Sequence, residues 1–399
     1  MLDVDAALPI QQVTKRQVFY LSGFDPRGAA YYHRLYQEES SAQAQLHHAD
    51  IQVGDRARLC KHHNFWKIQA NWPNQVPNQA DTSQQVKTDY HFLNWDDIVR
   101  QHWQTNLFKL LLASVVGYWG YIRCGAFSQI QQHYRGPFFS AIYPFFYLIL
   151  LVLFSLGLAS VTASVLLAVV NPVFANVFSI FLLGICLFYG AQIGNKWGVF
   201  WLLRTYLFVF NLGLNDSSLL QERLDEFVEI IKYAQQDEAA DEVLLVGHSV
   251  GTILAVHLAA LYLQRYPTLA AKVKLVTLGQ CIPLIHGVPQ AQLFNSHLNL
   301  LQMQSTLKWF DFLARADSLA FLNVQNLANL ISVQPNTLLV RFFNGFANKR
   351  YLQIKRNKLR LHFQYLMATE KLCEYDYFRM TVGFLPLLPH LAHSESRDI

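Results

Sequence analysis

The sequence predicts an α/β protein interrupted by a membrane-inserted helical hairpin, and three observations carry that prediction. The first is a short apolar run, Val243 to Val246, which breaks at Gly247-His248-Ser249-Val250-Gly251 and resumes as an alanine- and leucine-rich helical pattern from Thr252 to Tyr262. The second is an aromatic and β-branched run, Gln17 to Leu21, ending in the turn-rich Ser22-Gly-Phe-Asp-Pro-Arg-Gly28. The third is the stretch between Arg135 and Lys196, which contains no Asp, Glu, Lys or Arg.

Strand, sharp turn and helix around Gly247–Gly251 fit G-x-S-x-G, the pattern of a nucleophile elbow. The serine of such a turn sits in a strained backbone conformation, and side chains on its near neighbours would collide with the adjacent strand and helix. Gly247 and Gly251 are the residues that this geometry needs. The alternative for Ser249 is a structural serine capping the helix.

The motif and its flanks resemble the α/β-hydrolase superfamily, over Gln17 to Phe24 and again from about Leu219 to Leu391, with a large interruption between. The resemblance implies a mostly parallel sheet with helices on both faces. It also implies the chain order serine, acid, histidine, so that the remaining catalytic groups follow Ser249.

The acid is expected in a turn after a strand. Leu307 to Leu313 has the aromatic character of a strand, and Ala314-Arg-Ala-Asp317 is its exit, which makes Asp317 the candidate. Asp311, inside the aromatic run, is the rival, and a helix cap is the other use of Asp317. For the base, His362 follows a basic turn and a short alternating run, Lys358 to Leu361, and precedes a helical-looking Phe363 to Ala368. The resemblance places the base on the loop leaving the last strand. His390 and His393 are the alternatives, as is a buried, hydrogen-bonded role for His362. A triad of Ser249, His362 and Asp317 would attack an acyl carbon, with the backbone N–H of Val250 as one oxyanion donor.

The early strand supplies the rest of the expected site. Its exit resembles the superfamily's oxyanion loop, with Ser22-Gly23 where a His-Gly pair often stands, and Phe24 as the second backbone donor. Arg27 beside it would hold a phosphate or carboxylate of the substrate, or else pair with a neighbouring carboxylate.

The charge-free stretch is long enough for two membrane crossings, with Asn171-Pro172 at the turn, and the expected spans are 138–161 and 173–194. A buried helix pair in a soluble protein is the alternative. Leu107 to Ile122 and Gly198 to Leu214 are apolar but carry single charges and several Trp and Tyr, which suits an interfacial position better than further spans. Lys109, Arg123, Arg135, Lys196 and Arg204 flank the hairpin and none lies in its turn, so both ends are expected in the cytoplasm of a bacterial-type inner or plasma membrane.

The expected division is therefore a first part of the core at 1–100, a membrane-associated insertion at 101–214, and a second part of the core at 215–399. Residues 34–86 read as loops or a helix around the core, Tyr90 to Val99 as a strand passing into a helix, and Ser218 to Ala234 as an amphipathic helix with Leu220, Leu224, Phe227, Val228 and Ile231 on one face. An apolar fraction of 52% with 15% charged residues suits a membrane protein. The net charge of +5, spread along the chain, suits anionic lipid rather than nucleic acid. Five scattered cysteines without C-x-x-C predict neither a disulfide framework nor structural zinc, and no cofactor is expected.

The resulting expectation is a membrane-embedded serine hydrolase acting on an ester or thioester, most plausibly of a lipid. Its alternatives are an acyltransferase using the same triad and a non-catalytic membrane adaptor that keeps the fold as a binding module.

Overall fold

The computed structural model describes residues 12–73, 84–214, 218–237, 240–322 and 335–387. Within them a mixed sheet of nine strands organises the chain. In sequence the strands are β1 (Lys15–Leu21), β2 (Asp50–Val53), β3 (Ala57–Cys60), β4 (His63–Trp72), β5 (Gln84–Leu93), β6 (Glu242–His248), β7 (Val273–Leu278), β8 (Lys308–Ala314) and β9 (Asn336–Val340). In space the order is β2-β4-β5-β1-β6-β7-β8-β9, with β3 also on β4. The run from β5 to β9 is parallel, and β4 meets β2, β3 and β5 antiparallel.

The central strands are continuous apolar runs because both of their faces are covered. Phe19, Leu21, Val243 and Leu245 enter one core, and Val18, Tyr20, Leu244 and Val246 enter the other. Helix α1 (Gly28–His47) covers the second face with Tyr32, Leu35 and Tyr36. After β5 come α2 (Asp96–His102), α3 (Leu107–Arg123), α4 (Ala126–His133), α5 (Arg135–Leu166), α6 (Pro172–Lys196) and α7 (Val199–Leu214). The first face is then covered by α8 (Ser218–Asp237) and α9 (Gly251–Arg265). The five apolar residues expected on one face of α8 are all buried. Between β6 and β8 lie α10 (Pro267–Ala270), α11 (Pro283–His286) and α12 (Gln292–Met303). After β9 come α13 (Asn348–Arg356), α14 (Lys358–His362) and α15 (Tyr377–Val382), which return to the second core through Ile354, Leu361 and Tyr377.

Two expectations are corrected here. The described part of residues 34–86 holds most of α1, the strands β2, β3 and β4 and the start of β5, rather than loops or a helix alone. β4 buries Trp66, Ile68, Ala70 and Trp72 in strict alternation, a pattern that the many polar residues between them conceal. Lys358–His362 is a helical turn rather than a strand-like run, because the Asn357 side chain accepts a hydrogen bond from the Arg360 N–H and caps it.

Helices α5 and α6 are each long and apolar enough to cross a membrane, and extend past the expected 138–161 and 173–194. Only 11% and 17% of their most apolar windows are buried inside the protein, which a helix pair serving as a soluble core would not show. Small residues let the two helices meet: the Gly190 carbonyl accepts from Tyr147 at 2.6 Å, and Gly194 packs on Tyr147 and Phe200. α3 and α4 are bent by 73° and together could form a third span. α3 keeps an outward apolar stripe, including Phe108, Leu112, Val116 and Trp119. α7 does not match the interfacial position expected for Gly198 to Leu214. Its aromatic residues Phe200, Tyr206, Phe208 and Phe210 are buried against the core, because its apolar residues surround it rather than forming one stripe.

At the amino ends of β1, β6 and β7, a buried charge cluster ties the C-terminal tail to three strands. Glu242 accepts from Arg16 at 2.7 Å, Lys274 at 2.6 Å and the Leu387 N–H at 2.7 Å, while Arg16 also donates to the Gly383 and Leu385 carbonyls. Burial alone would raise the Glu242 carboxyl, but Arg16 and Lys274 outweigh it and hold it below its ordinary 4.5. A depressed carboxyl contributes stability in full above its unfolded value and loses it as pH falls through the folded one. Glu242→Gln should therefore cost about 3–5 kcal/mol near neutral pH. The gap between variant and parent should narrow as pH falls below 4.5, which thermal melts of the detergent-solubilised pair over an acid pH series would show.

Candidate active site

β1 and β6 are neighbours, but the chain leaves β1 to build β5 on one side and leaves β6 to build β7 on the other. Their carboxyl ends therefore flank a topological switch point, where an open α/β sheet leaves a crevice. Ser22–Gly28 stands at one lip and Ser249 at the other.

Ser249 has φ +55°, in the left-handed region. A non-glycine residue there carries about 1–3 kcal/mol of strain, and the packing around it over-determines the conformation. A Cβ on Gly251 would strike the Leu21 carbonyl oxygen and lie 2.5 Å from that of Ser22. One on Gly247 would lie 2.6 Å from the Gly251 oxygen, and one on Gly23 would lie 3.0 Å from the Ser249 Cβ. The expected strand, turn and helix are present, with the two motif glycines at points of backbone contact.

His362 and Asp317 are both buried and joined: the His362 Nδ1 lies 2.7 Å from the Asp317 Oδ2, which accepts from it. The other Asp317 oxygen accepts from the Leu319 N–H at 3.0 Å. Asp311 is buried within β8, pairs in register with Thr277 and accepts from its hydroxyl at 2.6 Å. Burial pushes the Asp311 carboxyl up to about 7 against that hydrogen bond. His390 and His393 lie outside the described residues.

Ser249 and His362 line one cavity, and among the described residues no hydrogen bond joins their side chains. His248, beside the serine, donates from Nε2 to the His362 carbonyl at 3.0 Å and so ties the backbone of the histidine to the turn. Burial, with the neighbouring His362 ring, lowers His248 to about 3, so it stays neutral while it donates.

The first lip is held on several sides. The Ser22 carbonyl accepts from Trp95 Nε1 at 3.0 Å and the Pro26 carbonyl from Arg100 at 3.0 Å. Asp25, buried beside the cavity, accepts from Tyr32 and from Arg27 through Nε and Nη2 at 2.6–2.9 Å. Arg27 therefore forms the carboxylate pair that was the alternative reading, with its guanidinium also stacked 3.7 Å over Tyr31. Phe24 is wedged between Phe208 and Trp103. Among the described residues, neither the Phe24 nor the Val250 backbone N–H has a protein hydrogen-bond partner. Phe24 lines the cavity, and Val250 directly follows Ser249.

Sequence reasoning missed the contribution of the inserted helices. Ser140, near the start of α5 and fully buried, donates to the Ser318 hydroxyl at 2.9 Å and accepts from Lys358 at 3.3 Å. One hydroxyl thus joins the foot of the hairpin to the residue after Asp317 and to the helix that ends in His362. Gly198, at φ +73°, lets α7 begin against Leu359 of that same helix. Nothing in the apolar run around Ser140 signals this role. His248, inside the motif itself, was visible but gave no hint of its partner.

The cavity has a volume of about 40 Å³ and is lined largely by apolar groups, with Tyr206 and Leu202 from α7 facing Leu284, Leu319 and Phe363. Cys281 also lines it, and burial pushes its thiol up to about 12, which keeps it protonated and a poor nucleophile. Among the described residues no group of three or more His, Cys, Asp or Glu could hold a metal ion. Comparison with models of known families, with curated proteins and with solved structures gave no match to this chain.

The contact between the turn and β1 gives a direct test. Gly251→Ala places a methyl against two carbonyl oxygens that belong to the sheet, and should lower stability by about 1–3 kcal/mol or more. A melting temperature equal to the parent's would show that the turn can shift freely.

Proposed function

We propose that the chain is a membrane-embedded serine hydrolase of the α/β-hydrolase type, cleaving an ester or thioester through Ser249, His362 and Asp317. The observation that carries this reading is one cavity lined by a serine in the left-handed region and by a histidine from a later segment that is hydrogen-bonded to a buried aspartate from another.

In this reaction Ser249 Oγ attacks the acyl carbon while His362 Nε2 takes its proton. Asp317 holds the Nδ1–H tautomer and stabilises the imidazolium. The tetrahedral oxyanion accepts from the Phe24 and Val250 N–H groups. His362 then returns the proton to the departing alcohol or thiol, leaving an acyl-serine. Water, deprotonated by His362, cleaves that ester and restores the serine. Arg27, already paired with Asp25, fixes the loop that carries Phe24 rather than offering a free charge to substrate.

The substrate is an ester presented at a bilayer surface, because a wall of the cavity is α7, the helix that follows directly from the hairpin. The basic residues flanking α5 and α6 favour cytoplasmic ends and hence a cytoplasmic site. The core parts 1–100 and 215–399 then form one catalytic unit around the insertion at 101–214.

A fluorophosphonate probe should label the detergent-solubilised protein at Ser249, with the label lost in Ser249→Ala. Folded protein that never labels would favour a non-catalytic adaptor. His362→Ala should lower ester turnover by about three to six orders of magnitude. Ser140→Ala removes the link between the hairpin and the acid and base loops; it should lower kcat about ten- to a hundredfold with little change in KM. Unchanged kcat in a fully folded Ser140→Ala protein would show that these loops hold their geometry unaided.

A further inference from the structure

The cavity beside Ser249 has a packed floor and a narrower choice of occupant than its membrane setting suggests. One water needs about 10–15 Å³ of cavity, so about 40 Å³ admits roughly three water-sized groups. The floor consists of Phe24, Tyr206, Cys281, Leu284 and Leu319, each at most 6% exposed. Every one of them belongs to the large core on this face of the sheet.

That floor is braced from behind. α7, which supplies Tyr206, lies in close contact with α3: a Cβ on Gly117 would strike Leu207, and one on Gly120 would strike Phe210. A Cβ on Gly213 of α7 would lie 3.0 Å from Val288, just beyond α11. The Tyr206 carbonyl also accepts from the Tyr121 hydroxyl at 3.3 Å. Deepening the cavity would require separating helices at close-packed contacts, and interiors at crystal-like density resist that. Besides Ser249, the partly exposed lining residues are Trp201, Leu359 and Phe363, where the first turn of α7 meets the helix carrying His362. They form the mouth, at the foot of the hairpin.

We infer that the site accepts a short acyl group of about two to four carbons, with the alcohol or thiol portion of the substrate lying outward through the Trp201–Phe363 mouth at the bilayer surface. This rests on the acyl-hydrolase reading above. The membrane contact then serves the leaving group, not the acyl chain. A long fatty acyl chain exceeds the space above this floor, whereas a small acyl group fills it and excludes water from the Ser249 carbonyl adduct.

The test uses the full chain in detergent and p-nitrophenyl esters from acetate to dodecanoate, each below its critical micelle concentration. Acetate or butanoate should give the highest kcat/KM, with a fall of about a hundredfold or more by octanoate, the size expected for a chain that cannot enter. Octanoate or dodecanoate turned over as fast as butanoate would overturn the inference while leaving the hydrolase reading intact. Absence of both turnover and fluorophosphonate labelling at Ser249 would sink both. Leu284→Ala enlarges the floor and should move the optimum to a longer chain; an unmoved optimum in folded protein would rule out the floor as the limit.

Discussion

The structure depends on how closely the end of β1 approaches the turn after β6. Gly23, Gly247 and Gly251 remove the side chains that would stand in that contact, and Ser249 is forced to φ +55° as a result. One consequence is geometric: the serine is lifted to the carboxyl edge of a parallel sheet, beside the backbone N–H groups of Phe24 and Val250. Another is energetic. The strain at Ser249 is sustained because neighbouring backbone carbonyls leave the turn no other path, so the cost is borne by the burial of β1, β6 and α9 around it. His248 extends the same constraint to the His362 backbone, and through His362 to Asp317.

The inserted helices are constrained by that sheet as well. β5 and β6 both lie against β1, so the chain between them must leave and return on the same side. α5 and α6, the two helices long and apolar enough to cross a membrane, run out and back as a pair, which meets that requirement. The insertion is also more than an anchor. α7 supplies a wall of the cavity, Gly198 lets it meet Leu359, and Ser140 reaches both loops beyond β8 and α13. Under the proposed reaction the hairpin's foot and the acid and base are parts of one structure, so disturbing one moves the other.

How much of this was legible in the sequence follows from how local each signal is. The strand, turn and helix around Ser249, the early strand and the apolar helix pair were readable because their signals lie in neighbouring residues: glycine at fixed offsets, apolar runs without charge. Asp317 and His362 were chosen from chain order and turn character, and the two are hydrogen-bonded although Lys358–Leu361 is helical. β4 was hidden because its solvent face is polar, so that only every second residue carries the strand signal. The burial of α7 was hidden for the opposite reason. An all-round apolar helix with aromatic residues reads alike whether its partner is lipid or a protein core, and only the position of Phe24 and Trp95 against Phe208 decides between them. The links through Ser140 and Arg27 are tertiary, and residue type alone does not determine them.

The charge states around His362 give the proposed reaction its electrostatic footing. When His362 accepts the serine proton it becomes a cation, with the His248 ring only 4.9 Å away. A second cation at that distance would cost about 3 kcal/mol at an effective dielectric near 20. Burial removes this cost by holding His248 neutral, at about 3, and fixes it as a donor to the His362 carbonyl. The Cys281 thiol is kept protonated by the same burial, so it adds no competing anion or nucleophile to the cavity. Asp311, pushed up to about 7 within β8, meets Thr277 rather than the histidine. Asp317 is the carboxyl hydrogen-bonded to His362, through Nδ1. The apolar lining that raises the cost of every other charge strengthens this one interaction, and it does so at the step where proton transfer creates the imidazolium.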